Sequence, residues 1–130
     1  MIYLDSSALV TLISGRSYAE ELREFLAAKP AMPMATSTLG FIETVRTLDQ
    51  VGEYPTIMQD LAREFTEILI TEEVRDAAAL LPKGVRTLDA VHIASAQIIG
   101  EALEVLVTYD KRMRDAARSV GLPVEAPGLD

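Results

Sequence analysis

The chain has 130 residues, 49% of them apolar and 25% charged, with no cysteine and a net charge of −8 at pH 7. At this length one ordinary hydrophobic core suffices for a single domain, and the lack of cysteine excludes disulfides, thiolate zinc sites and cysteine nucleophiles. The acidic balance argues against a broad, non-specific nucleic-acid surface, though not against a local acidic site whose bound cation reverses the field, and it suits a basic protein partner.

Met1 leads almost directly into the strand-like run Ile2-Tyr3-Leu4, with no signal-peptide pattern. No apolar stretch approaches the ~20 residues needed to span a bilayer. A cytoplasmic protein without membrane attachment is the expectation. After the first strand, Ser6 and Ser7 are placed to cap a short helix through Ile13 that Gly15 ends. A second helix runs from about Tyr18 to Ala28, with Leu22, Phe25 and Leu26 on one face. Pro30 and Pro33 punctuate a loop, and Met34 to Thr36 forms a second strand. The next helix starts at Thr36, Ser37 or Thr38 and carries a buried stripe of Leu39, Ile42, Val45 and Leu48. Gly52 closes it, Thr56 to Thr66 is helical, and Glu67 to Ile70 is a third strand.

Thr71 caps a helix from Glu72 to Leu81. Beyond the loop Pro82-Lys83-Gly84, Thr87 caps a helix from Leu88 to Ile99 that is apolar nearly all round, the mark of a central buried helix. Leu103 to Val107 is the strongest strand pattern. Lys111 to Val120 is the last helix, stopped by Gly121; Val124 adds a short edge strand, and Pro127 to Asp130 is a loose tail. Alternating strands and helices give an α/β fold with a mostly parallel sheet.

Ligands of open parallel sheets bind beyond the carboxyl ends of the strands. Asp5 follows the first strand and Asp110 the fourth. Asp89 sits in the first turn of the buried helix and Glu43 one turn into the helix after the second strand. A buried, unpaired carboxylate costs roughly several kcal/mol unless protonated, paired or metal-bound, and the nearest cation to Asp89 in the chain is Arg86. A carboxylate-only ligand set favours Mg²⁺ or Mn²⁺ over zinc. Each acid alone also fits a plainer role. Asp5 and Asp110 can cap helices, Asp89 can be a first-turn acid that the helix dipole favours, and Glu43 can pair with Arg46. Only their joint placement points to chemistry. Ser6, Ser7 and Thr108 flank the acids and can orient a carboxylate or cap a helix. Lys111 and Arg112 start a basic stretch beside Asp110, a solvated face or a phosphate contact. His92, the one histidine, lies on an apolar helix and reads as a core residue; a two-histidine, metal-free nuclease is excluded.

Met1-Ile2-Tyr3-Leu4-Asp5-Ser6-Ser7 resembles the first motif of PIN-domain nucleases, Phe41-Ile42-Glu43-Thr44 the second, Arg86-Thr87-Leu88-Asp89-Ala90 the third and Val107-Thr108-Tyr109-Asp110 the last. The resemblance spans almost the whole chain and points to the VapC-type toxins of type II toxin–antitoxin pairs. It implies a three-layer α/β/α sandwich around a four- to five-stranded sheet and a Mg²⁺- or Mn²⁺-dependent endoribonuclease. It also implies a homodimer blocked by a cognate VapB-type antitoxin. The acidic quartet is then Asp5, Glu43, Asp89 and Asp110, with Asp5 and Asp89 in the positions of direct metal ligands. The resemblance further implies hydrolysis to a 5′-phosphate and a 3′-hydroxyl.

Three other readings compete. A phosphatase of the haloacid-dehalogenase type needs an acid at position 7, where this chain has Ser7. A receiver domain needs an acid at the end of the third strand, where Leu69-Ile70-Thr71 stands. A catalytically idle module of the same fold that only binds a protein or RNA remains the alternative.

Overall fold

The strand Ile2–Leu4 (β1) is buried along its whole length, as a central strand covered on both faces must be. In the computed structural model, which describes residues 1–130, it is the middle of a five-stranded sheet. The other strands are Met34–Ser37 (β2), Thr66–Ile68 (β3), Val105–Val107 (β4) and Val124–Glu125 (β5). Their order is β3-β2-β1-β4-β5 and every pairing is parallel. The helices are Ser6–Ser14 (α1), Ala19–Ala27 (α2), Thr38–Val51 (α3), Ile57–Glu64 (α4), Glu72–Ala79 (α5), Thr87–Ile99 (α6) and Lys111–Ser119 (α7).

Strand pleating divides the core in two. Ile2, Leu4, Val105 and Val107 join Leu9 of α1, Leu22 of α2, Phe41 and Leu48 of α3 and Leu61 of α4 in one cluster. Tyr3 and Leu106 point the other way, to Ile93 and Ala96 of α6 and Met113 and Ala117 of α7. The result is helix, sheet, helix: three layers. The chain winds outward from β1 in one direction through β2 and β3 and in the other through β4 and β5. The carboxyl ends of β1 and β4 therefore flank the point where strand order reverses, the place such sheets leave open for a ligand.

Several boundaries differ from the sequence reading. The N-cap of α1 is Asp5, the plainer of the roles open to it in the sequence, its carboxylate accepting from the Ala8 N–H; Ser6 and Ser7, also placed to cap, are already helical. The N-cap of α6 is Arg86, without a side-chain cap; Thr87 is already helical. Helix α4 stops at Glu64 because Phe65 turns extended (φ −120°, ψ 140°) and drives its ring into the first core cluster. Strand β3 therefore starts at Thr66 and ends at Ile68, leaving Leu69 and Ile70 exposed. Strand β4 is only Val105–Val107, since Gly100–Ala102 forms a 3₁₀ turn before it. On α3 the buried residues are Gly40, Phe41, Thr44 and Leu48, while Ile42 is exposed and Val45 half-buried. The N-terminal turn of the helix lies close against the end of β2: a Cβ on Gly40 would lie 2.0 Å from Thr36 Oγ1.

Residues after β5 fold back on the body. The Asp130 carboxylate accepts from the Ala126 N–H at 2.6 Å and lies 3.8 Å from Arg118. The Tyr109 hydroxyl donates to the Pro127 carbonyl, and its ring stacks on Tyr18 at 5.6 Å. No helix is long and apolar enough to cross a membrane.

Candidate active site

Asp5 leaves β1 at the sheet's open end and is 2% exposed. Its Oδ1 accepts from the Ser7 hydroxyl at 2.6 Å and from the Ala8 N–H at 3.0 Å; its Oδ2 accepts from the Thr108 hydroxyl, beyond the end of β4. These three bonds leave about one of a carboxylate's four lone-pair positions open. No lysine or arginine pairs with it. Burial pushes its carboxyl above the ordinary range, against the opposing pull of nearby His92 and of the Ser7, Thr108 and Ala8 donors. Ser7 and Thr108 thus orient the carboxylate, and they tie β1 to β4: the Ser7 hydroxyl also accepts from the Tyr109 N–H, and Thr108 from the Asp110 N–H. The Ser6 side chain makes no hydrogen bond in this network.

Asp89 stands in the first turn of α6, half-buried. Its carboxyl is also raised, first by burial, then by the negative charge of Asp110 and more weakly of Asp5, with His92 and Arg86 opposing. Three acids from β1, α6 and the end of β4 therefore share one electrostatic field. Asp110 is exposed and caps α7, its Oδ1 accepting from the Met113 N–H at 3.2 Å.

Glu43 enters differently. Its Oε1 lies 2.7 Å from His92 Nε2, while His92 Nδ1 lies 2.7 Å from the Tyr3 hydroxyl. The expected alternative, a pair with Arg46, does not form. His92 is buried with both ring nitrogens occupied, as its core reading requires, yet one partner is a candidate site acid. Lys111 is spent on Asp115 at 2.8 Å. Arg112, by contrast, lines a recess of about 350 Å³ together with Arg86 and Asp89. Arg86 was absent from the sequence-derived site, although it opens the third motif and is the nearest cation to Asp89 in the chain.

No three of these acids and the histidine form a ready-made ligand set for a metal ion. The donors still fit one of the hard kind. Mg²⁺ keeps several waters and commonly uses only one or two carboxylates plus substrate phosphate. Asp5, with its open acceptor position and no cation partner, and Asp89, with its charge opposed by two neighbouring acids, are the residues a divalent ion would relieve.

The PIN domain family model matches residues 2–119. The chain is 41% identical over 128 residues to ribonuclease VapC46 of Mycobacterium tuberculosis, covering 97% of each chain. It is 38% identical to ribonuclease VapC35 of the same species, covering 98% of each. Among solved structures, M. tuberculosis VapC20, a sarcin-ricin loop cleaving toxin, superposes with a TM-score of 0.75 at 17% identity, over 98% of this chain and 100% of the other. A toxin–antitoxin complex from Klebsiella pneumoniae gives 0.71 at 23% identity, over 98% of each. At these identities the structures speak for the fold alone, and the fold they share is the expected three-layer arrangement. With the family model and the relatives both spanning nearly the whole sequence, the chain belongs to the PIN-domain family, among its VapC members.

Proposed function

We propose that this protein is a divalent-metal-dependent endoribonuclease, the toxic half of a type II toxin–antitoxin pair. The observation that carries the reading is the nearness of Asp5 and Asp89 at the switch point of the sheet: both carboxyls are raised by burial, that of Asp89 also by the charges of Asp110 and Asp5, and neither has a salt bridge to settle it. Kinship with the VapC ribonucleases supports it.

In this reading Asp5 and Asp89 would hold Mg²⁺ or Mn²⁺, and Glu43 and Asp110 would complete the negative field around it. The ion when bound supplies Lewis acidity toward the phosphate and makes water a better nucleophile. Ser7 and Thr108 keep the Asp5 carboxylate in one orientation. Arg86 and Arg112, in the recess beside Asp89, take the non-bridging phosphate oxygens, a role guanidinium forks suit well. Lys111 is left to its pair with Asp115. Water attacks phosphorus in line, the bond to the 3′-oxygen breaks, that oxygen takes up a proton, and the products are a 5′-phosphate and a 3′-hydroxyl.

A cognate VapB-type antitoxin is the proposed partner, favoured by the toxin–antitoxin complexes among the structural neighbours and by the net charge of −8. The family expectation of a homodimer and a cytoplasmic setting completes the proposal. The test is cleavage of end-labelled RNA in Mn²⁺, with and without EDTA, by the wild type and Asp5→Asn. The reading requires cleavage by the wild type, its loss in EDTA and its loss in the variant, with the fold retained. The idle-module alternative requires no cleavage and no thermal stabilisation by Mn²⁺.

A further inference from the structure

We propose that His92 is a positioning residue for the Glu43 carboxylate, held in turn by Tyr3, so that a three-residue relay running out from the core fixes an acid of the quartet that no backbone group anchors. The comparison among the acids carries the argument. Asp5 and Asp110 are each held by a helix N–H through an N-cap, and both have short side chains. Glu43 lies inside α3, on a longer side chain that loses more rotamer freedom when fixed. Its carboxylate has one hydrogen bond in the whole fold, from His92 Nε2 at 2.7 Å.

The ring that makes this bond is itself immobile. The His92 side chain is 3% exposed and the Glu43 side chain 27%, so the bond runs from the core to the rim of the site. Tyr3, fully buried at the centre of β1, meets Nδ1 at 2.7 Å and crosses the ring edge-on with centroids 5.9 Å apart. A carboxylate has no hydrogen to give, so Nε2 carries one and donates it to Glu43, while Nδ1 and the Tyr3 hydroxyl share the second bond of the relay. Burial holds that phenol well above its ordinary range, so it keeps its hydrogen. A histidine with a merely structural role needs only any acceptor at Nε2. Here the acceptor is a candidate site acid on another helix, and His92 stands one turn beyond Asp89 on α6. The relay therefore sets the distance between α3 and α6 where both present acids.

The activity arm of the test rests on the nuclease reading; the spectroscopic arm does not. In the ¹⁵N–¹H spectrum of the folded wild type, the His92 ring shows its hydrogen on Nε2, and Glu43→Ala shifts that resonance and speeds its exchange with water. A ring with no hydrogen on Nε2, or an Nε2–H signal that Glu43→Ala leaves unmoved, overturns the proposal. In cleavage assays, His92→Leu lowers kcat by about 10- to 100-fold, the range for removing a group that orients a ligand, with KM changed less than about twofold. His92→Gln, which keeps an N–H donor, recovers much of the loss. The double variant with Glu43→Gln is no slower than Glu43→Gln alone, because both changes remove the same contribution. Multiplying losses in the double variant refute the assignment. Should His92→Leu not fold, Tyr3→Phe, which frees the ring while sparing both site residues, takes its place in the same cycle. Absence of cleavage by the wild type would sink the nuclease reading and leave the ring spectrum to decide the relay.

Discussion

Replacing Gly40 by alanine ought to stabilise an ordinary helix by about 1 kcal/mol, and here it should do the opposite. The new Cβ would stand 2.0 Å from Thr36 Oγ1, 3.1 Å from Thr36 Cβ and 3.3 Å from Thr36 Cγ2. Thr36 is fully buried in β2, so it cannot swing into solvent. Overfilling a packed site costs about 1–3 kcal/mol, and a 2.0 Å contact with a side chain that cannot move belongs in the upper part of that range, about 2–3 kcal/mol; set against the helix gain, the net expectation is a loss of about 1 to 2 kcal/mol. Thr36→Ala removes the contacts at 2.0 and 3.3 Å and leaves the one at 3.1 Å. Its own cost is small for a polar atom, because Thr36 Oγ1 has no hydrogen-bond partner to lose. In that background Gly40→Ala should be neutral or stabilising, giving a coupling of about 1–3 kcal/mol between the positions. Urea unfolding followed by far-UV circular dichroism on the four proteins measures it. Stabilisation by Gly40→Ala in the wild type, or the same effect in both backgrounds, refutes the close-approach argument. Glu43 lies three residues further along α3, so a displaced helix also pulls its carboxylate from His92.

Asp5 and Asp89 should make the metal-free protein less stable as pH rises. Both carboxyls are raised in the fold, so the folded chain keeps protons that the unfolded chain releases near 3.8. The stability this confers is complete below that value and is lost as pH climbs through the folded values. Asp5→Asn removes one contribution, so its urea midpoint in EDTA, followed from about pH 4 to about pH 8, should fall less than that of the wild type; parallel curves would exclude the buried-charge account. At Asp110 the cap and the charge separate cleanly. Asp110→Ala should cost about 1 kcal/mol through loss of the bond to the Met113 N–H, whereas Asp110→Asn should cost little. Asp110→Asn should also lower the Asp89 carboxyl, whose charged form Asp110 opposes, a shift carbon-detected NMR titration can follow.

The sheet and the places of Asp5 and Asp110 were legible because they depend on local pattern. A run of apolar residues ended by an acid reads the same in sequence and in space. The face of α3 was not. Leu39, Ile42, Val45 and Leu48 make the better hydrophobic stripe on paper, but the face that meets the core is Gly40, Phe41, Thr44 and Leu48, and Gly40 stands where a side chain would strike Thr36. The end of α4 was missed because nothing in the local sequence breaks the helix at Phe65; the pull comes from the core its ring enters. The link from Tyr3 through His92 to Glu43 joins positions far apart in the chain and has no periodicity to betray it. Arg86 and Arg112 come together only because α6 and α7 lie side by side, while the neighbouring Lys111, equally basic on paper, is neutralised by Asp115.

The central place of β1 has a consequence for how the protein is made. Asp5 leaves the ribosome well before the strand that flanks it, β4, and the hydroxyl of Thr108 that fixes its carboxylate, which emerge only after about a hundred more residues. Parallel partners this distant cannot pair until both exist. A nascent chain therefore keeps Asp5 and Asp110 apart until the fourth strand has emerged, and the two ends of the sheet's crevice form together, late, rather than one after the other.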